Sequence, residues 1–363
     1  MRKAKLISAI GAAVLLLGAG AVKFVGVPAL RQLPADLDTT VQLNGTADLV
    51  DPAALQSGDM SRAVRTNVPV TVRERIHVAS THGSTAVVVD ESTMTGADGT
   101  KVSTTENTWA VHRSTLASAP PPAGTAAREH VGLVVGFPLV PEPHDYLYWD
   151  STTEKAVTAD YVRTERRADR DTFVYEIHAA GPVKDKAILA SVPPSLSKEA
   201  ILGLANTLDP ATRDLILSFK DFIPAQIPLT YTATSDTTFW VDRATGYVID
   251  LHRTQAVAVA LPSGFQGLSL PTKFTVELSY SPESVTASRD GAADAERSLF
   301  LLGTVAPLGL VLVGLVLAVV AIWPSRRRPD PEPAAPTPAA PTPAAPTPAA
   351  ADESAPTPAA APD

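Results

Sequence analysis

The stretch TTFWVDRATGYVIDLHRT, Thr237 to Thr254, decides how the chain is read. Thr, Phe, Trp and Val up to Val241 favour an extended backbone, and so does the run from Tyr247 to Leu251. Between them, Asp242-Arg243-Ala244-Thr245-Gly246 has the chemistry of a tight turn. An Asp carboxylate at its start accepts a backbone N–H two residues on, and a Gly at its end takes positive φ. Two strands and a hairpin follow, with Trp240, Asp242 and Gly246 as turn residues rather than catalytic ones. DYLYWDSTTEKAVTADYVRTE, from Asp145 to Glu165, repeats the outline with Asp150 in the matching place and Lys155 where the Gly would fall.

The same period-two signal spreads outward from these hairpins. Val68, Val70, Val72, Ile76 and Val78 alternate with Thr71, Arg73, Arg75 and His77, and Glu74 is the one interruption of the apolar face. STAVVVDES, KVSTTENTWAVHRST, DYVRTERRADRDTFVYEIH and TKFTVELSYS add further strands. The expected fold class is therefore mainly β, an antiparallel β-rich domain over residues 28–297.

One interval departs from it, a helical insertion at about 198–222. Ser197 is an N-cap residue, and Ile201, Leu204, Ala205 and Leu208 follow at helical spacing. Asp209-Pro210 supplies a second cap with Pro at the first helical position, and Leu215, Phe219 and Phe222 line one face of a helix reaching about Phe222. These two amphipathic helices either cap an open end of the sheet or bind a ligand. Leu204, Leu208, Leu215, Phe219 and Phe222 are the candidate ligand-binding residues.

The domain is flanked by apolar segments. Within residues 1–27, basic Arg2, Lys3 and Lys5 precede an uncharged run from Leu6 to Val22. Its small residues at Ala19-Gly20-Ala21 also fit a signal peptide. If Lys23 snorkels, the segment reaches the ~20 residues that cross a bilayer, and a retained span or uncleaved signal anchor is the reading taken. The uncharged run Ser298 to Trp323, followed by Arg326-Arg327-Arg328, reads as a transmembrane helix over 298–324. By the positive-inside rule both termini are cytoplasmic and the central domain is extracytoplasmic. Residues 325–363 are a Pro/Ala/Thr repeat that buries nothing and reads as a disordered tail.

Composition narrows the chemistry. With 30 Lys and Arg against 38 Asp and Glu, the formal net charge is −8, and the absence of a basic patch leaves nucleic acid a poor partner. There is no cysteine, which excludes disulfides, thiolate metal sites and Cys nucleophiles. No nucleophile elbow, zinc-protease helix or phosphate-binding loop is present. Ser195-Leu196-Ser197-Lys198 matches S-x-x-K without its usual partner motifs, and Ser197 is already explained as a cap. Glu129-His130 and His144-Asp145 are adjacent pairs, which strand alternation sends to opposite faces. Neither a metal nor a cofactor is expected. A carboxylate pair for glycoside hydrolysis stays open among so many acidic residues.

The Tyr-Trp-Asp hairpin, the later Phe-Trp-Val-Asp-x-x-Thr-Gly hairpin, the basic start with its first hydrophobic segment and the closing membrane helix together resemble an actinobacterial envelope family of unknown function, labelled the porin PorA family. The resemblance covers roughly Ala4 to Trp323. It implies a role at the cell envelope in assembling lipoglycans or other surface lipids, and brings no catalytic residues with it. In architecture the chain also looks like the class B scavenger receptors, which carry lipid through an ectodomain tunnel. The resulting expectation is a non-enzymatic membrane protein whose exported domain binds or passes envelope lipid or lipoglycan intermediates. The alternatives are a scaffold for envelope-assembly proteins and an envelope glycan hydrolase.

Overall fold

The computed structural model describes residues 2–26, 31–51, 54, 64–205, 209–260 and 273–322. Ten strands form one sheet: β1 (Asp38–Val50), β2 (Val64–His82), β3 (Thr85–Gly96), β4 (Lys101–His112), β5 (Tyr146–Asp150), β6 (Lys155–Arg167), β7 (Arg170–Pro182), β10 (Thr230–Asp242), β11 (Val248–Ala260) and β12 (Lys273–Tyr280). Their order is β4-β3-β2-β1-β12-β11-β10-β7-β6-β5, with antiparallel neighbours throughout.

The sheet curls round a single core. Leu43, Val72, Val88, Trp109, Ala159, Tyr175, Phe239, Leu251 and Leu278 come from nine of its strands and all pack into one buried cluster. Alternation accounts for this, because every strand turns its odd or even set to the same side. The two edge strands, β4 and β5, are joined by the chain between them. Arg128 N donates to Thr108 O (2.8 Å), Leu133 N donates to Leu147 O (2.8 Å), and Trp149 N donates back to Leu133 O (2.7 Å). The same connection sends Leu116, Leu133 and Phe137 into the core. Phe137 stacks on Tyr175 with centroids 4.6 Å apart and meets Phe239 edge-on at 5.4 Å.

Two matching turns lie where the sequence repeats. Asp242 Oδ1 accepts from Thr245 N (2.9 Å) and Thr245 Oγ1 (2.7 Å), and Asp150 Oδ2 accepts from Thr153 N (2.9 Å) and Thr153 Oγ1 (2.5 Å). The residue in the left-handed position is Gly246 (φ 76°) in one and Glu154 (φ 50°) in the other. Glu154, not Lys155, therefore corresponds to the glycine. A third copy escaped the sequence comparison: Trp109 to Ala117, WAVHRSTLA, places Leu116 at φ 55°, with its N–H on His112 O at 2.8 Å. Gly246 N bonds Asp242 O in the same way at 2.9 Å. The second carboxylate oxygen of Asp242 accepts from Arg170 Nε (2.8 Å), and Arg170 reaches on to Glu296 (2.8 Å).

The helical insertion forms between β7 and β10, with the short helix α2 (Lys186–Ser191), strands β8 (Ser195–Ser197) and β9 (Gln226–Pro228), and helices α3 (Lys198–Ala205) and α4 (Pro210–Ser218). Ser197 Oγ accepts from Ala200 N at 3.1 Å, the expected cap. The helix expected to reach Phe222 instead stops at Ser218, and a 3₁₀ turn follows over Lys220–Phe222. The register slips there, so Phe219 and Phe222 leave the helical face and stand exposed at 56% and 83%. A small core of Leu196, Ala200, Ile201, Ile216, Ile223 and Ile227 holds the insertion together, with Ala54 from the β1–β2 connection. The insertion thus covers the end of the sheet at which β7 finishes and β10 begins.

At the opposite end, α5 (Pro282–Phe300) follows β12 and continues through a π turn into α6 (Ala306–Ile322). Ser281 caps α5 by accepting from Ser284 N. Among the described residues this 41-residue helix is the one long and apolar enough to cross a membrane. α1 (Arg2–Ala21) is helical, but its apolar stretch, Ile10–Phe24, is shorter, so the expected pair of transmembrane helices is reduced to one on length and composition. The two helices pack antiparallel. Lys23 Nζ donates to Gly303 O at 3.4 Å, whereas a Cβ at Gly11 would lie 3.4 Å from Leu317.

Gly246 tests the turn. A Cβ there would approach Pro138 O to 2.1 Å, whereas one on Gly99, also left-handed at φ 78°, would meet nothing within 4 Å. Gly99→Ala should cost about 1 kcal/mol from backbone strain alone. Gly246→Ala should cost at least roughly twice as much, since the β10–β11 turn must part from the Pro138 segment, and chemical denaturation of the two variants measures the difference.

Candidate functional site

The inward face of the sheet is not apolar throughout. On β2 the inward set is Val70, Val72, Glu74 and Ile76, and on β3 it is Ala86, Val88, Asp90, Ser92 and Met94. Ser92 stands opposite Glu74 and Asp90 opposite Ile76, so the two carboxylates are diagonal neighbours on one face, about 7–8 Å apart at the backbone. Leu251 and Arg253 follow the same alternation on β11.

Between β2 and β11 lie two strands, β1 and β12. Nevertheless Arg253 Nη1 stands 3.8 Å from Glu74 Oε1. The ion pair bridges the concave side, and Tyr148 and Tyr280 lie close enough to interact with it electrostatically. Although these groups face the core, Arg253 and Glu74 keep 30% and 20% of their side-chain surface open, so the interior is not filled here. The apolar residues around them, Val41, Ile76, Met94, Val276 and Tyr280, also face inward and are only half-buried.

Titration reflects this setting. Burial, and then the Glu74 charge, push Asp90 up to about 7, against the opposing pull of Arg253. Burial works against the Arg253 charge, yet Glu74, Tyr148, Asp90 and Tyr280 together hold its pKa above the ordinary value. Burial raises Tyr148 to about 12 and raises Tyr280 as well. At neutral pH the cluster holds a guanidinium and, in Asp90, a carboxyl poised between protonated and ionised forms. Such a group can bind a polar head by donating and accepting hydrogen bonds at once.

A second concavity, of about 640 Å³, lies outside the sheet beside the start of α5, lined by Arg167, Trp240, Asp250, His252, Ser279 and Val285 among others. Its polar groups are largely engaged with one another. Arg167 Nε donates to Asp250 Oδ2 at 2.8 Å and its guanidinium lies 4.9 Å over Trp240, whose indole N–H donates to Glu165.

The residues singled out in the sequence lie elsewhere. Asp150, Trp240, Asp242 and Gly246 sit in or beside the turns. Phe219 and Phe222 lie exposed on the insertion; Leu208 falls outside the described residues, and Leu204 and Leu215 are placed by backbone only, within α3 and α4. Ser195 Oγ donates to Gln226 Oε1 at 2.8 Å, which ties β8 to β9. His130 is buried edge-on to Trp109 at 5.3 Å, whereas His144 is exposed beside Tyr146. Among the described residues no three His, Asp or Glu converge as a metal site. Glu74 was visible in the sequence as the break in an apolar face, and Asp90 and Arg253 carry a similar signal once strand parity is known.

Sequence comparison matches residues 5–323 to the family described as Porin PorA. No curated protein matches. Among solved structures, full-length peroxisomal multifunctional enzyme type 2 from Drosophila melanogaster is 14% identical, with 72% of this chain and 40% of that one covered and a TM-score of 0.14. The chain thus spans well under half of that enzyme. A conserved hypothetical protein from Mycobacterium tuberculosis, described as having a double hotdog fold, is 12% identical, with 73% and 80% covered and a TM-score of 0.14. Likenesses at these scores carry no argument, and the architectural likeness to class B scavenger receptors is not shown.

The Asp90 shift sets a pH dependence. Its folded pKa, about 7, lies above the ordinary 3.8, so the folded state holds the proton more tightly. The stability this group contributes is complete below about pH 4 and is lost as pH rises towards 7. Asp90→Asn should flatten that limb and raise stability at pH 8 by up to roughly 3–4 kcal/mol, read from denaturant midpoints between pH 4 and 8.

Proposed function

We propose, starting from the fact that the chain belongs to the Porin PorA family, that it is a membrane-anchored envelope protein whose curled sheet takes up an amphiphilic envelope molecule, a lipid or lipoglycan intermediate, without changing it chemically. One observation carries this reading: half-buried apolar side chains and a charged cluster share the same incompletely filled interior. Apolar walls with a few convergent polar groups are what a small-molecule site requires. An acyl chain would lie against Ile76, Met94 and Val276, and its head would meet Glu74, Asp90 and Arg253.

The strands are poor candidates for a pore wall. Outward positions include exposed Arg73, Asp160 and Arg163. A spanning barrel turns apolar residues outward, and a basic residue at mid-bilayer costs about 2–4 kcal/mol. Anchoring falls instead to the helices. In this reading α1 is retained and crosses beside α6, both termini are cytoplasmic, and the sheet lies outside the membrane. Their antiparallel packing supports that arrangement, since Gly314 lets Leu16 and the Ala12 carbonyl approach to within 3.2 and 3.4 Å of where its Cβ would be.

The carboxyl pair favours a second reading, glycoside hydrolysis, with Asp90 as the acid and Glu74 as the second carboxyl group. Release of reducing sugar from envelope glycolipid by the full chain, lost in Asp90→Asn, would establish it in place of carriage.

Mass spectrometry of the full chain, extracted from its own envelope fraction, should find one tightly held lipid. Ser92→Phe, which fills the interior opposite Glu74, should lower that occupancy several-fold at a stability cost of about 1–3 kcal/mol. Recovery of an empty protein under conditions that retain other lipid complexes would defeat the proposal.

A further inference from the structure

We infer that Ser279, His252 and Glu277 make a second site, outside the curled sheet, at which carboxylic esters are cleaved by acyl transfer to the Ser279 hydroxyl. The site shares no residue with the interior cluster and does not rest on the reading of that interior.

The arrangement follows from strand register. His252 on β11 stands directly opposite Ser279 on β12, and Glu277 lies two residues from Ser279 on the same face. Leu251 and Leu278 take the inward positions on these strands, so the three polar side chains project outward. His252 Nδ1 lies 2.9 Å from Ser279 Oγ, and its other ring nitrogen, Nε2, lies 3.9 Å from Glu277 Oε1. A hydroxyl, an imidazole and a carboxylate in that order are the parts of an activated nucleophile. The carboxylate favours the tautomer with its proton on Nε2, leaves Nδ1 to take the hydroxyl proton, and stabilises the imidazolium that results. The ring is turned relative to the common serine triad, in which Nε2 faces the hydroxyl, and either nitrogen of a neutral imidazole can be the acceptor. Pairing of β12 with β1 on one side and β11 on the other holds the group in place.

Ser279 and His252 open onto the concavity of about 640 Å³ beside the start of α5. Trp240, Pro282 and Val285 give an acyl chain an apolar surface there, and Arg167 gives the carbonyl oxygen a cation. Arg167 commits Nε and Nη2 to Asp250, and among the described residues its Nη1 has no hydrogen-bond partner. The Ser279 proton passes to His252 as Oγ attacks the ester carbonyl carbon, and the guanidinium stabilises the oxyanion that develops. The C–O bond to the alcohol then breaks, the alcohol leaves with the proton from His252, and the acyl group stays on Ser279. Water, deprotonated by His252, attacks the acyl-serine, and the carboxylic acid departs as Ser279 regains its proton. The Glu277 contact is longer than a hydrogen bond and open to solvent, so the base is a modest one. That matches an ester, whose alcohol leaves readily, rather than a peptide amide. No flanking glycine or strained turn marks Ser279, so no nucleophile-elbow motif points to it in the sequence.

The test uses the full chain in lauryldimethylamine oxide, a detergent without an ester bond. A fluorophosphonate probe should modify one serine, which peptide mapping places at Ser279, and p-nitrophenyl butyrate should be hydrolysed with turnover. Ser279→Ala should reduce both reactions to background with an unchanged denaturation midpoint, and His252→Gln should slow both by about a hundredfold or more. Glu277 touches no substrate and is a positioning residue, so Glu277→Gln should lower kcat several-fold and leave KM as it is. The chain has no cysteine, and Ser279→Cys therefore gives a single reporter thiol. Beside His252 it should react with iodoacetamide at about pH 7 far faster than an ordinary thiol, and lose that advantage when His252→Gln is added. If Ser279→Ala fails to fold, the mapping on the unaltered chain and the thiol comparison decide alone. A probe that leaves Ser279 unmodified, or hydrolysis that persists in Ser279→Ala, would overturn the assignment and reduce the contact to a cross-strand hydrogen bond, with no bearing on the interior.

Discussion

A ten-stranded antiparallel sheet has two edges, and the structure depends on what happens to them. Left open, β4 and β5 would present unpaired backbone groups to any passing strand. Here the connection between the same two strands runs back across the gap, bonding Thr108 on one side and Leu147 on the other. Curling follows, and curling brings a β11 side chain within reach of a β2 side chain although two strands separate them. Without that closure, Glu74 and Arg253 would be isolated charges on a flat surface. Because of it they form a pair inside a shell.

The same closure sorts the rest of the interior. One part is dense: Phe137 fills the space among Tyr175, Tyr148 and Phe239, and Trp109 is fully buried. Another part is loose, and the charged groups lie there. A core that aimed only at stability would replace Glu74 and Arg253 by apolar residues of similar volume, often at no loss. Retaining them there leaves a charged pair on an inward face whose side chains keep 30% and 20% of their surface open. Locally destabilising groups in a concavity are a mark of function more often than of folding.

Much of the architecture was legible because period-two alternation is a local signal. The hairpin at Asp242 to Gly246 follows from its own residues, and the mainly antiparallel β class follows from several such runs. The curl was not legible, since no local pattern says that β4 and β5 end as opposite edges or that residues 128–133 cross between them. For the same reason the site was missed: Glu74 and Asp90 meet across the β2–β3 hairpin, but Arg253 lies far off in sequence and only the curl brings it to them. Phe219 and Phe222 drew attention through helical spacing, which fails once the helix ends at Ser218. The third turn at His112 to Leu116 was hidden by chemistry, because His and Leu occupy the places of Asp and Gly while the backbone path is the same.

α5 passes into α6 through a π turn with helical geometry kept throughout, which fixes how the sheet is joined to the apolar helix. The segment from Pro282 to Phe300 spans about 28 Å, and its Glu296 is tied through Arg170 to the β10–β11 turn. The sheet is therefore carried on a strut rather than a tether. On the proposed reading, such a strut gives the sheet one bearing and one height above the lipid surface, and loading of its interior then depends on lateral encounter in the plane of the membrane and not on a swinging arm.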